Sequence, residues 1–182
     1  MHHRLFLATL WGLISVTGVS HAEVFQANGI KIGEVDQNSA LIWTRLTLNK
    51  QANNSGAAFI RPKKSGLPNT AEQLPKDKTL DDMQGAVPGA AGSVRISWTS
   101  KSGEKNSTNW MSVNAEKDFT LRHQIRELVP GTGYTITVES RDPEGILGQA
   151  IEGKFRTAPA LEQEAPVSFV VVSCQEYARR DS

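Results

Sequence analysis

Apolar and polar residues alternate with period two in short segments separated by Gly, Pro, Asn and Asp, and no segment sustains a helical period. The cleanest segment is 94–98. There Val94, Ile96 and Trp98 fall on one face and Arg95 and Ser97 on the other, as in a strand with one buried and one wet side. Ile30 and Ile32 predict a first strand. Residues 39–46 predict a second, with Trp43 as its largest side chain, after a connection over 33–38. A short strand is expected over 110–113. In the next, Phe119, Leu121, His123 and Ile125 alternate against Thr120, Arg122, Gln124 and Arg126. Tyr134, Ile136 and Val138 mark another inward face, and a last strand over about 151–157 carries Phe155 and stops before Ala158 and Pro159. The predicted class is all-β, a sandwich domain over residues 23–158.

Two stretches depart from this pattern. Residues 49–92, rich in Asn, Lys, Gly and Pro, are far longer than an ordinary strand connection and predict an elaborated loop. Within it, 57–60 suits an extra edge strand, and 70–74 or 80–83 suits a helical turn. The second departure comes after an acidic, Pro-bounded linker over 159–166. Residues 167–172 are nearly all apolar, as a strand covered on both faces requires. The expectation is that 167–182 begin an α/β-type domain that stops after its first strand. Left without a sheet, such a strand is an aggregation hazard.

The amino terminus has the form of a secretory signal peptide over 1–22: a basic head ending at Arg4, an interrupted apolar run from Leu5, and small residues Ser20 and Ala22 at positions −3 and −1 of the expected cut. The run is shorter than the roughly 20 apolar residues a spanning helix needs. Cleavage is therefore preferred over an uncleaved anchor, and no other segment is long enough to span a bilayer. A secreted, periplasmic or cell-envelope location is expected. The full chain carries a formal net charge of +1, with 20 basic and 19 acidic residues; loss of Arg4 makes the processed chain formally neutral. No nucleic-acid surface is indicated. Cys174 is the only cysteine, so an internal disulfide is excluded and the lone thiol of an exported chain asks for an explanation. Asn53 and Asn106 have the form of glycosylation acceptors but read as ordinary loop residues. The pairs Lys63-Lys64 and Arg179-Arg180 are too short to make a basic patch.

Leu128, Pro130, Thr132 and Tyr134 resemble, in type and spacing, the connection between the fifth and sixth strands of fibronectin type III domains. The resemblance implies an immunoglobulin-like β-sandwich in which the tyrosine hydroxyl bonds back to upstream backbone. Trp43 resembles the tryptophan such domains bury.

A second resemblance covers essentially the whole processed chain. Residues 33–45 (GEVDQNSALIWTR), 80–95 (LDDMQGAVPGAAGSVR), 154–159 (KFRTAP) and 167–177 (VSFVVVSCQEY) resemble the opening of alkaline phosphatase D-like (PhoD-like) proteins, in the family's order. That family implies an exported metallophosphoesterase acting on phosphate esters, with iron and calcium or other divalent metals. It also implies that Cys174 is a metal ligand and that a catalytic domain comes next. A thiolate is a good soft ligand for a transition metal, so the chemistry agrees; an inert buried thiol is the other reading. The head has only Arg4 where the family's usual leader has twin arginines, which points to the general secretory route.

A hydrolytic metal centre needs several ligands. His123, between Leu121 and Ile125, reads as a sandwich residue, so the chain by itself is expected to bind no cofactor and to catalyse nothing. The preferred reading is an amino-terminal piece of a PhoD-like phosphatase or phosphodiesterase. The alternatives are a free-standing extracellular fibronectin-like binding module and a degenerate gene remnant.

Overall fold

The computed structural model describes residues 23–60, 73–166 and 168–171. The leader 1–22, Lys63 and Lys64, most of the candidate turn 70–74, and Cys174 with the rest of 172–182 lie outside the described residues. Among the described residues eight strands form two antiparallel sheets. The smaller sheet has the order β1-β2-β6, from Ile30–Gly33, Ala40–Arg45 and Thr120–Ile125. The larger runs β4-β3-β7-β8, with β3 at Gly92–Ser100, β4 at Lys105–Ser107, β7 at Gly133–Arg141 and β8 at Ile151–Arg156. β5, Met111–Val113, also pairs with β3. Among the described residues there is no α-helix, only two 3-10 turns.

Alternation makes the core. Ala40 and Ile42 of β2, Ile125 of β6, Val94 and Ile96 of β3 and Ile136 and Val138 of β7 point between the sheets and are buried. The residues between them on the same strands, most of them polar, face out. This is the predicted fibronectin type III-like sandwich, with three strands facing the larger sheet. The expected tyrosine device is present as well: the Val129 backbone N–H donates to the Tyr134 hydroxyl at 2.9 Å, and the Tyr134 ring stacks on Phe155.

Trp43 is not where the resemblance put it. The buried face of β2 carries Ala40, Ile42 and Thr44, so period two sends Trp43 to the outer face, where it is half-buried. The tryptophan packed against the core is Trp98 of β3.

The long loop is folded rather than open. Its two limbs bond along one another, from Leu48 N–H to Pro88 O at 2.9 Å, through Asn53 N–H to Ala86 O at 2.8 Å, to Gln84 N–H and Ala57 O at 2.8 Å. Met83 is buried between them. The anticipated turn exists as a 3-10 turn at Leu80–Asp82, held by the Asp82 carboxylate, which accepts from Thr79 N–H at 2.8 Å and from the Thr79 hydroxyl at 2.9 Å. Residues 57–60 make only isolated bridges, Ala57 to Met83 and Ile60 to Gln73.

Candidate interdomain face and the fate of the site residues

The outer face of the smaller sheet carries apolar side chains in a polar frame. Trp43 sits at its centre, in register with Lys31 of β1 and Arg122 of β6, and Leu41 lies two residues along, between Gly33 and Gln124. Both apolar side chains are half-buried. Their neighbours are fixed. Arg45 is 13% exposed and closes on Asp118 with Nη2 to Oδ1 at 2.8 Å and on the Val87 carbonyl at 2.6 Å. Gln124 donates to the Ser39 hydroxyl at 3.0 Å, and Arg122 reaches Glu34 at 2.9 Å in an exposed pair of little energetic weight. An apolar centre with an aromatic anchor in a polar frame is the composition of an interface core and rim.

The turn into β2 is built by Asp36. Its carboxylate accepts from Asn38 N–H at 2.8 Å and from the Ser39 N–H and hydroxyl at 2.5 and 2.9 Å. The Asn38 bond, followed by the Ser39 hydroxyl, holds this carboxyl below its ordinary range. Ala158, just past β8, donates to the Asp36 carbonyl at 2.9 Å, so the chain leaves the sandwich beside this turn, at one end of the Trp43 sheet. Beyond it the apolar residues stand clear of the domain: Phe169, Val170 and Val171 are each more than 80% exposed.

A second outward cluster lies on the larger sheet. Arg95 and Arg141 sit over the Trp110 ring at 4.8 and 4.4 Å, and Arg95 forks onto Glu139 at 2.7 and 2.9 Å. The guanidinium bonds from Arg95 hold the Glu139 carboxyl below its usual range. Trp110 belongs to the link between β4 and β5, so this stack pins that link onto the sheet face.

Of the residues singled out for chemistry, His123 faces inward on β6 opposite Ile42, a sandwich position. Asn53 shapes the long loop, its side-chain oxygen accepting from Ser55 N–H at 3.2 Å, and Asn106 pairs with Trp98 in β4. Cys174 lies outside the described residues. Among the described residues no group of three or more His, Cys, Asp and Glu is placed to hold a metal ion. Those residues do not fit an iron or calcium centre.

The family described as PhoD-like phosphatase, N-terminal domain, matches residues 17–159. The chain belongs to that family. The PhoD-like N-terminal domain thus ends where the sandwich makes its last backbone bond, at Ala158. A solved structure of PhoD is 16% identical, with a TM-score of 0.44, over 76% of this chain and 20% of that one. The present chain therefore spans about a fifth of the length of that protein. A two-domain fibronectin type III segment of chicken tenascin is 17% identical, with a TM-score of 0.38, over 73% of this chain and 49% of that one. The fibronectin domain of human collagen alpha-1(XX) is 16% identical, with a TM-score of 0.39, over 77% and 88%. No curated protein sequence matches the chain.

The outer face has a signal in the sequence that strand alternation alone does not pick out. Ala40, Leu41, Ile42 and Trp43 run apolar on both sides of β2, the composition of a strand covered on both faces.

Proposed function

We propose that this chain is the amino-terminal, non-catalytic part of an exported PhoD-like metal-dependent phosphoesterase. Membership of the PhoD-like N-terminal domain family carries the reading. In it, the sandwich is a scaffold and the catalytic domain comes after the linker 159–166. That domain takes up the apolar run Phe169 to Val171 as a strand of its own sheet and covers the Trp43 face beside the point where the chain leaves. Cys174 is then one ligand of a metal centre whose remaining ligands the catalytic domain supplies. The leader 1–22 sends the product out of the cytoplasm.

The test is to express the gene from the codon of Glu23 in two lengths, to Ser182 and onward through the downstream reading frame. Hydrolysis of a chromogenic phosphate monoester and of a diester is then assayed with iron and calcium present. Activity is expected only in the longer protein. In that protein Trp43→Glu is expected to lower the melting temperature or the activity, while in the short chain it changes stability by about 1 kcal/mol or less. A downstream frame without metal-ligand segments, or a longer protein without hydrolysis, overturns the proposal in favour of a binding module.

A further inference from the structure

Asp142, one residue past the end of β7, is 2% exposed. Its Oδ1 accepts from Ile146 N–H at 2.7 Å, closing the turn toward β8, but its Oδ2 is buried with no partner among the described residues. A buried carboxylate with one unpaired oxygen is costly unless a cation meets it. Arg141 is adjacent in sequence, yet strand alternation turns it to the outer face, over Trp110. Glu144, also in the turn, is of the wrong charge.

The cation that the geometry offers is the chain's own start. Residues 24–26 run along the end of β7. Gln26 donates from Nε2 to the Val138 carbonyl at 3.2 Å and to the Gln149 carbonyl at 3.3 Å. Two residues earlier, the buried Val24 has its carbonyl against Gly148, the residue whose N–H donates to Ser140 O at 2.9 Å. Going from Gln26 back to Val24 thus advances two residues along β7, from Val138 to Ser140. The same progression sets Glu23 beside Arg141, with its nitrogen leading toward the position opposite Asp142. The cut expected after Ala22 turns the Glu23 nitrogen from a peptide amide into an ammonium at that place.

We propose that the α-ammonium of Glu23, created when residues 1–22 are removed, pairs with the free oxygen of Asp142 and fixes the first segment in the sandwich. The precursor lacks this pair, so the domain gains its full stability only after processing. The pair requires cleavage after Ala22. Mass analysis of the exported protein tests that step separately, and a first residue other than Glu23 overturns the pair.

The pair itself is tested on chain 23–182 with its α-amine free or acetylated, each as wild type and as Asp142→Asn, which keeps the bond from Ile146. Acetylation is expected to lower the melting temperature of the wild type by about 4 °C or more and to leave that of the Asp142→Asn variant within about 1 °C. Equal shifts in the two backgrounds, or none in either, overturn the proposal. A second measurement needs no variant. Acylating reagent is expected to modify the Glu23 amine about tenfold more slowly than the amine of an unstructured peptide of the same sequence, as a pKa raised by one unit gives. Equal rates mean that water satisfies Asp142, and the proposal fails.

Discussion

Tyr134 joins two parts of the sandwich through one side chain. Its ring lies 5.4 Å from that of Phe155, and its hydroxyl accepts from Val129 N–H at 2.9 Å. Tyr134→Phe keeps the stacking and orphans the Val129 donor, so a loss of about 1–3 kcal/mol is expected in urea unfolding, with the denaturant slope unchanged. Asp36 is the corresponding polar device at the turn into β2. Its carboxyl titrates below the ordinary value because Asn38 N–H and the Ser39 hydroxyl favour the charged form. A group depressed on folding contributes stability that is present above its unfolded pKa, about 3.9, and is lost as pH falls through the lower folded value. The stability difference between wild type and Asp36→Asn is therefore expected to be constant from neutral pH to about pH 5 and to shrink below about pH 4, as acid-unfolding curves would show. Tyr134 was legible as a residue, because its neighbours Leu128, Pro130 and Thr132 fix its role by local spacing.

Among the elements, most strands are legible by alternation because their buried faces are written in their side chains. β4 escapes because Lys105, Asn106 and Ser107 are all exposed and pair through backbone alone, leaving no pattern to read. β3 accepts both β4 and β5 on one edge. Between them Thr108 keeps the ladder intact, donating its N–H to Ile96 O at 2.9 Å and accepting from Ile96 N–H at its hydroxyl at 3.1 Å. The two sheets approach closely where β1 meets β8, over Gly153. A Cβ there would lie 2.9 Å from the Cδ1 atoms of both Ile30 and Ile32. Gly153→Val is expected to cost about 1–3 kcal/mol by overpacking, more than Gly153→Ala, whose single methyl the flexible isoleucine ends can yield to; thermal unfolding of the two variants checks the order.

The described residues form a closed sandwich with an apolar run outside it. The core closes within 24–157, and the described residues after Ala158 add nothing to it while exposing Leu161, Phe169, Val170 and Val171. Chain 23–160 is accordingly expected to melt within about 1–2 °C of chain 23–182 and to scatter less light at high concentration, since it lacks the exposed apolar run. A fall of the melting temperature by more than that would mean that the last residues pack on the domain. The proposed catalytic partner gives both the apolar run and the Trp43 face their cover.

Local pattern is enough to settle the class of fold, the inward residues of most strands and the tyrosine device, because these depend on period two and on spacing within a few residues. The family, too, is written in the chain, in segments spread from Gly33 to Pro159. Which face of β2 is core is a matter of tertiary packing. Ala40, Leu41, Ile42 and Trp43 are apolar on both sides, so local pattern allows either assignment, and the choice falls to the sheet that covers one of them. The same holds for Val138 of β7 and Gln26 in the segment 24–26, more than a hundred residues apart in the chain. Their meeting depends on how β7 and the amino-terminal segment are laid side by side, which no local window contains.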